Sequence, residues 1–432
     1  MVQQRLRKLW RRSLKSKEVF LRMADYKRPN SGDRKVINMR GGRLATNNYD
    51  EEELRDSLNL HKRKVRRRIL IGVVLVIVVL LAAWLFFENR TYSSLIVRSS
   101  VSREDTASAD YTAYRDGFIR YSNDGVTYFD RNGKAVWNQS YSMQKPQYKA
   151  RGDYFAIADI GGTTIRVFNQ NGMVGEYATG KQISQIDIAK QGVVAASLSE
   201  GESNYINLYK TDGDVIVTVK TALSGDGYPL DIALSEDGKK LVVSFIYISG
   251  ENMKENVVFY NFSDVGQNES ERIVGGFKDF DTNLVGDVEF INNTTVVAVS
   301  ENALTYYHID EYPKQTKRIT LDSEVERTFF DSGYVGLVLK NTNSDDAYRI
   351  QVYGSGGGRV LNTTTNTAYD RFVLDGRSVV MYNSSSFAVL NFQGRFITKQ
   401  SSELPLTALI PTGLRGRYML INSKYIQKVY LK

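Results

Sequence analysis

Hydrophobic and polar positions divide this chain into three regimes. Up to residue 68, apolar residues are scattered among Lys and Arg. Residues 69–87, ILIGVVLVIVVLLAAWLFF, hold no charge, and at ~1.5 Å per residue form about 28 Å of helix, enough to span a bilayer. From residue 93 onward one pattern recurs: a short apolar strand, a second ending in an aromatic residue, an Asx-Gly or Gly-rich turn, then a third. Clear copies are VTYFDRNGKAVW (126–137), IRVFNQNGMVGEY (165–177), INLYKTDGDVIVTV (206–219), IQVYGSGGGRVL (350–361) and AVLNFQGRFI (388–397). The turn glycines Gly133, Gly172 and Gly213 lie 39 and 41 residues apart, and Gly357 and Gly394 lie 37 apart. A period of about 40 residues with four strands per unit is the pattern of a β-propeller. No stretch after Arg90 carries a sustained helical stripe, which argues against a mixed α/β enzyme domain.

Each turn has a mechanism. Gly supplies the positive φ of a tight hairpin, and Asn or Asp before it tolerates the left-handed region. A second hairpin precedes the first in each unit, as in DIALSEDGKKLVVSF (231–245), bent at Asp237 and Gly238. On this basis eight units begin near Asp110, Gln147, Gln182, Pro229, Leu284, Glu324, Ala368 and Leu404, the fourth lengthened by insertions. Seven blades with an extra hairpin remains the alternative count. The eighth unit stops after its third strand, while 94–99, SLIVRS, belongs to no unit. That segment is expected to complete the last blade, closing the ring, protecting its sheet edges and tethering it near the end of the apolar run.

Charge adds direction. Residues 1–68 hold 21 Lys and Arg against 8 Asp and Glu, whereas the remainder carries 36 against 40. HKRKVRRR (61–68) directly precedes the apolar run, so the positive-inside bias places the N-terminus in the cytoplasm and the propeller outside, as a single-pass protein of the cytoplasmic membrane. A cleaved signal peptide fits poorly, because its charged leader is short and no small-x-small site follows. The expected domains are a mostly disordered basic tail (1–68), a transmembrane helix (69–87) and an extracytoplasmic propeller (93–432). Within the tail, Leu6 and Trp10 recur near helical spacing between Arg5, Arg11 and Arg12, which suits an amphipathic helix on anionic lipid as well as an unstructured basic segment. Nucleic acid is a weaker partner for such a tail, since phosphate neutralisation without a folded scaffold reads no bases. Residues 28–48 are Gly-, Asn- and Arg-rich and read as a linker.

The sequence offers little chemistry. With no Cys, a disulfide framework, a thiolate metal site and a Cys nucleophile are all excluded; two His, His61 and His308, cannot build a His cluster. His308 lies at a strand end with no nucleophile-elbow pattern. Asp212 and Asp214 flank a turn Gly without the full Ca²⁺-loop spacing. Gly161–Thr164 lacks the following Lys and helix of a phosphate loop, and Arg151-Gly152-Asp153 is read as a turn.

FDRNGKAVW (129–137) resembles the repeat of pyrroloquinoline-quinone-type propellers, and LSEDGKKLVVSF (234–245) resembles the inner hairpin of tryptophan-aspartate-type propellers. Only the first unit keeps the Trp, so the likeness is to an architecture. The layout of basic tail, single membrane helix and Cys-free outer propeller is similar to an uncharacterised family of membrane-anchored propellers in Gram-positive bacteria. That resemblance implies no activity, cofactor or functional residue.

The remaining signal is loop length. In a propeller, loops between the second and third strands share a face with the blade-to-blade connections, and insertions there build binding surfaces. Residues 249–256, SGENMKEN, and 341–346, NTNSDD, fall in that class, as does the shorter 200–204; 263–271, SDVGQNESE, projects from the opposite face. The candidate partner-binding residues are therefore Glu251, Asn252, Lys254, Glu255, Asn343, Asp345 and Asp346. The expected function is a non-enzymatic interaction platform for envelope or membrane proteins, needing no cofactor. The alternative is an extracytoplasmic sensor that takes a glycan or peptidoglycan fragment in its central channel.

Overall fold

The computed structural model describes residues 51–88, 90–103, 108–222, 227–249, 252–278, 284–341 and 346–432. Two units are distinct, Met1–Leu81 and Ala82–Lys432. The expected tail surface of Arg5, Leu6, Trp10, Arg11 and Arg12 lies outside the described residues.

A 38-residue helix, Glu51–Glu88, begins inside the segment expected as tail and carries the apolar run. No Pro interrupts it. Its side chains are exposed over 65–83. Among the residues described with their side chains, no helix is long and apolar enough to cross a membrane. The helical backbone itself continues to Glu88.

From Leu95 onward the described residues form eight four-stranded antiparallel sheets. We name the strands of each blade A to D from the ring axis outward. The A strands begin at Asp110, Pro146, Gln182, Tyr228, Val285, Val325, Arg371 and Leu406, each within three residues of its expected unit start. This settles the count at eight blades rather than seven. Leu95–Ser102 is strand D of blade eight, with Leu95 opposite Leu431 and Ser102 opposite Tyr425. The closing strand is therefore longer than the expected 94–99. Beside it, the Ser93 and Ser94 N–H groups donate to the Lys432 carbonyl at 3.2 Å, and the Tyr92 N–H donates to Ile397 of blade seven at 2.8 Å.

The core lies between the blades rather than within any one of them. In blade two, strand Tyr154–Asp159 turns Phe155 and Ile157 toward blade one, and Ala156 and Ala158 toward blade three. Such strands read as unbroken apolar runs because both of their faces are buried. At the rim, Asp130 accepts the Asn132 and Lys134 N–H groups at 2.8 and 2.9 Å, shaping the turn that puts Gly133 at φ +81°. This seats Trp137 against Phe168 of blade two, ring centroids 5.8 Å apart, with its indole N–H on the Gln170 carbonyl at 2.9 Å. The aromatic residue that carries the quinone-propeller resemblance thus works as an inter-blade wedge.

A–B and C–D turns share one face of the ring; B–C turns and the blade connections share the other. The chain enters on the A–B face, because Leu95 lies beside Leu431 at that end. Two expectations about loops need correction. Residues 249–256 are mostly strand: Lys240–Ser249 and Asn252–Asn261 form one long antiparallel pair, with Ser249 opposite Asn252. Residues 200–204 are likewise mostly strand, with 201–202 the tight turn between Val194–Glu200 and Ser203–Tyr209. A Gly-free bend such as NMKEN (252–256) looks like a loop only because its polar side chains hide continued ladder pairing.

Candidate functional site

The B–C hairpin of blade four is the largest departure from blade regularity among the described residues. Strand A of that blade follows the hairpin only as far as the Tyr228–Ile246 pair, and strand D begins its pairing at Val257–Phe277. Tyr247, Ile248 and Ser249, paired with Lys254, Met253 and Asn252, therefore extend past the sheet as a two-stranded ribbon. Ile248 is 80% exposed and the Met253 opposite it 55%. On the other ribbon face the Lys278 ammonium lies 6.0 Å from the Tyr247 ring centroid, and Lys254 is exposed.

The expected partner residues separate accordingly. Glu251, Asn343 and Asp345 lie outside the described residues. Asn252 starts the returning strand opposite Ser249, and Lys254 is on the ribbon surface. Glu255 is instead 4% exposed, and its carboxylate accepts the Val285 N–H of blade five. It fixes the ribbon's root to the next blade rather than facing a partner. Burial pushes its carboxyl up to about 7, with Glu301 adding to the rise and the Val285 hydrogen bond opposing it. Asp346 closes its own loop: its carboxylate accepts the Thr364 hydroxyl and its carbonyl the Asn341 side-chain amide at 2.7 Å.

At the axis, carboxylates of successive A strands staple neighbouring blades. Asp187 accepts the Leu234 N–H at 2.7 Å, Asp231 the Val288 N–H at 2.8 Å, and Asp287 the Thr328 hydroxyl at 2.8 Å. Burial raises Asp231 to about 7 despite the nearby Lys149. Arg151, at the end of blade two's A strand, reaches across the ring to Glu289 of blade five at 2.7 Å, with Asp187 at 3.4 Å. These side chains line a cavity of about 330 Å³ that opens among A–B turns beside Lys149, Lys190, Glu236 and Phe330. The Arg-Gly-Asp run is thus split: Arg151 bridges the channel, Gly152 turns at φ +63°, and Asp153 pairs with Arg115. Sequence reading missed these acids because they are spread over three short strands, Asp187 and Asp231 one to a strand and Asp287 with Glu289 in the third, and nothing in the sequence shows that these strands share an axis.

The other candidate chemistry disperses. His308 is exposed, with Nε2 3.1 Å from Asp310. Asp212 accepts the Asp214 N–H at 3.2 Å inside its turn. Among the described residues no cluster of His, Asp or Glu has the geometry to hold a metal ion.

A model of a family of unknown function, DUF5711, matches residues 88–431. The chain belongs to that family. No curated protein sequence matches it. Among solved structures it is similar to BamB from Moraxella catarrhalis, at 12% identity and TM-score 0.50, over 78% of this chain and 100% of that one. It is also similar to Sqt1 from Chaetomium thermophilum, at 10% identity and TM-score 0.52, over 78% and 100%. The same protein bound to the N-terminus of the ribosomal protein L10 matches at 10% identity and TM-score 0.50, over 76% and 100%. At these identities the likeness of this DUF5711 chain to them is one of fold.

Proposed function

We propose that this protein is a non-enzymatic, single-pass membrane protein whose propeller is an interaction platform in the bacterial envelope, with the blade-four ribbon as its principal contact. The observation that carries this reading is the ribbon itself. Ile248 and Met253 form an exposed apolar pair on a two-stranded antiparallel support, and exposed apolar groups rimmed by polar ones mark protein contacts. The similarity to Sqt1, solved with a protein segment bound, agrees with a protein-binding role. The non-enzymatic reading draws on the axial acids, since Asp187, Asp231 and Asp287 are engaged in joining blades. Anchoring, with the N-terminus in the cytoplasm, rests on the uncharged run 69–87 behind HKRKVRRR.

The test is crosslinking in whole cells with the full chain, beside a variant whose residues 247–254 are replaced by a two-residue turn. Envelope proteins captured by the first and lost from the second are expected; an identical set from both removes the ribbon from the reading. A second reading, a glycan held at the channel, draws on the cavity beside Lys149 and Lys190. Saturable binding of peptidoglycan fragments, abolished by Lys190→Glu and unchanged by ribbon removal, would favour it.

A further inference from the structure

The A–B face of the ring is electrically divided. In blades seven and eight its turns, 376–377, 392–395 and 412–416, carry Arg377, Arg395 and Arg415; Arg417 and Lys432 follow at the same edge, against a single half-buried acid, Asp375, at the end of the blade-seven A strand. All five basic residues are exposed. Among the described residues, Arg377, Arg395 and Arg417 form no ion pair with a carboxylate, while Arg417 stacks on Tyr430 at 4.9 Å. Leu414 projects among them, 54% exposed at a turn tip. Elsewhere on this face, the C–D turns of blades four and five (262–272, 310–312) carry Asp264, Glu269, Glu271, Asp310 and Glu311 against Arg272. The chain enters in the basic sector, where Arg90 stacks on Tyr92 at 5.2 Å and Tyr92 hydrogen-bonds to blade seven.

We infer that the basic sector of the A–B face, with Leu414 at its tip, docks on an anionic lipid surface and holds the propeller tilted against the bilayer. Two observations select lipid as the occupant. First, the basic residues are spread over separate turns around an aliphatic tip, the composition that suits a sheet of anionic headgroups over hydrocarbon. Second, the polypeptide reaches this sector from the uncharged run 69–87, so the bilayer that takes the run is at hand. Arg guanidinium groups hydrogen-bond to phosphate in two-pronged fashion while their stems rest on apolar surface. The acidic sector would be repelled by the same headgroups, which is why the contact is tilted rather than flat. This inference rests on the anchored reading above and adds the orientation of the propeller to it.

The chain has no Cys, so one introduced thiol is a unique label. Full-length protein carrying Leu414→Cys, Glu311→Cys or Ile248→Cys, each labelled with the environment-sensitive dye NBD, is reconstituted into vesicles of phosphatidylcholine with or without phosphatidylglycerol. The expected result is blue-shifted, dithionite-protected emission at 414 only, and only with phosphatidylglycerol; Glu311→Cys and Ile248→Cys report water. Replacing Arg377, Arg395 and Arg415 together by Gln should return the 414 label to water, since each basic residue strengthens lipid contact roughly fivefold. Full-length protein that resists alkaline carbonate extraction but reports water at 414 overturns the docking and leaves the anchor standing. Equal lipid signals at 414 and 311 overturn the tilt. Release by carbonate overturns the anchor and this inference with it. A 414 label that reads water in vesicles yet is shielded in whole cells assigns the face to a protein instead.

Discussion

Glu255 and Asp231 are carboxyls whose environments favour the proton, and this makes stability depend on pH near neutrality. Both stand at about 7 in the folded chain, well above the ordinary carboxylate range. Between about pH 4.5 and 7 the folded state binds protons that the unfolded state has released, so stability falls as pH rises through this window and levels off above it. Each group contributes a slope of at most about 1.4 kcal/mol per pH unit. Urea unfolding followed from pH 5 to pH 8 should therefore show a declining midpoint. Glu255→Gln with Asp231→Asn, which keep the hydrogen-bond-accepting oxygens, should flatten it; an unchanged slope would assign the dependence to other groups. Gly175 makes a different residue-scale point. A Cβ there would run into the Thr211 carbonyl oxygen of the neighbouring blade, so Gly175→Ala is expected to cost about 2 kcal/mol or more by thermal unfolding.

At the scale of elements, the ribbon of blade four and the blades that carry it have separable roles. The blade's hydrophobic contacts end at residues such as Phe245 and Val257, while Ile248 and Met253 add no core. Trimming 247–254 to a tight turn should leave the melting temperature within a few degrees of wild type, because surface changes away from the core usually stay within about 0.5 kcal/mol. A large drop in melting temperature would mean that the ribbon supports its blade. The ribbon was legible in the sequence as an insertion, but its secondary structure was not. SGENMKEN is polar apart from Gly250 and Met253, and a single apolar residue leaves no alternation to read. Glu255 shows the limit most sharply: the same polar run holds one exposed Lys and one buried carboxylate, and only the approach of blade five distinguishes them.

For the whole molecule, closure is the decisive feature. Strand Leu95–Ser102 has one partner strand, Tyr425–Leu431, and joins the two ends of the propeller. Deleting 95–102 would bare that edge and part of the core cluster shared by blades seven, eight and one. Thermal unfolding is expected to fall by roughly 10 °C or more, with aggregation by size-exclusion chromatography. A deletion variant that stays monomeric with an unchanged melting curve would show that the ring holds without its clasp.

The sequence by itself determined the repeat, the starting positions of its units to within three residues and the segment that closes the ring, while the choice of eight blades over seven came from the structure. These are local properties: each unit repeats its own apolar strands and glycine turns, and an unfilled fourth strand in the last unit calls for one from elsewhere. Only the tertiary structure decided what faces what. Arg151 and Glu289 are 138 residues apart and meet because the closed ring turns the A strands of blades two and five toward one channel. Arg377, Arg395 and Arg415 become one basic sector because A–B and C–D turns of successive blades converge on a single face. A repeat encodes its own hairpins, but the charge of a face and the contents of a channel are sums over distant repeats, and they exist only once the ring has closed.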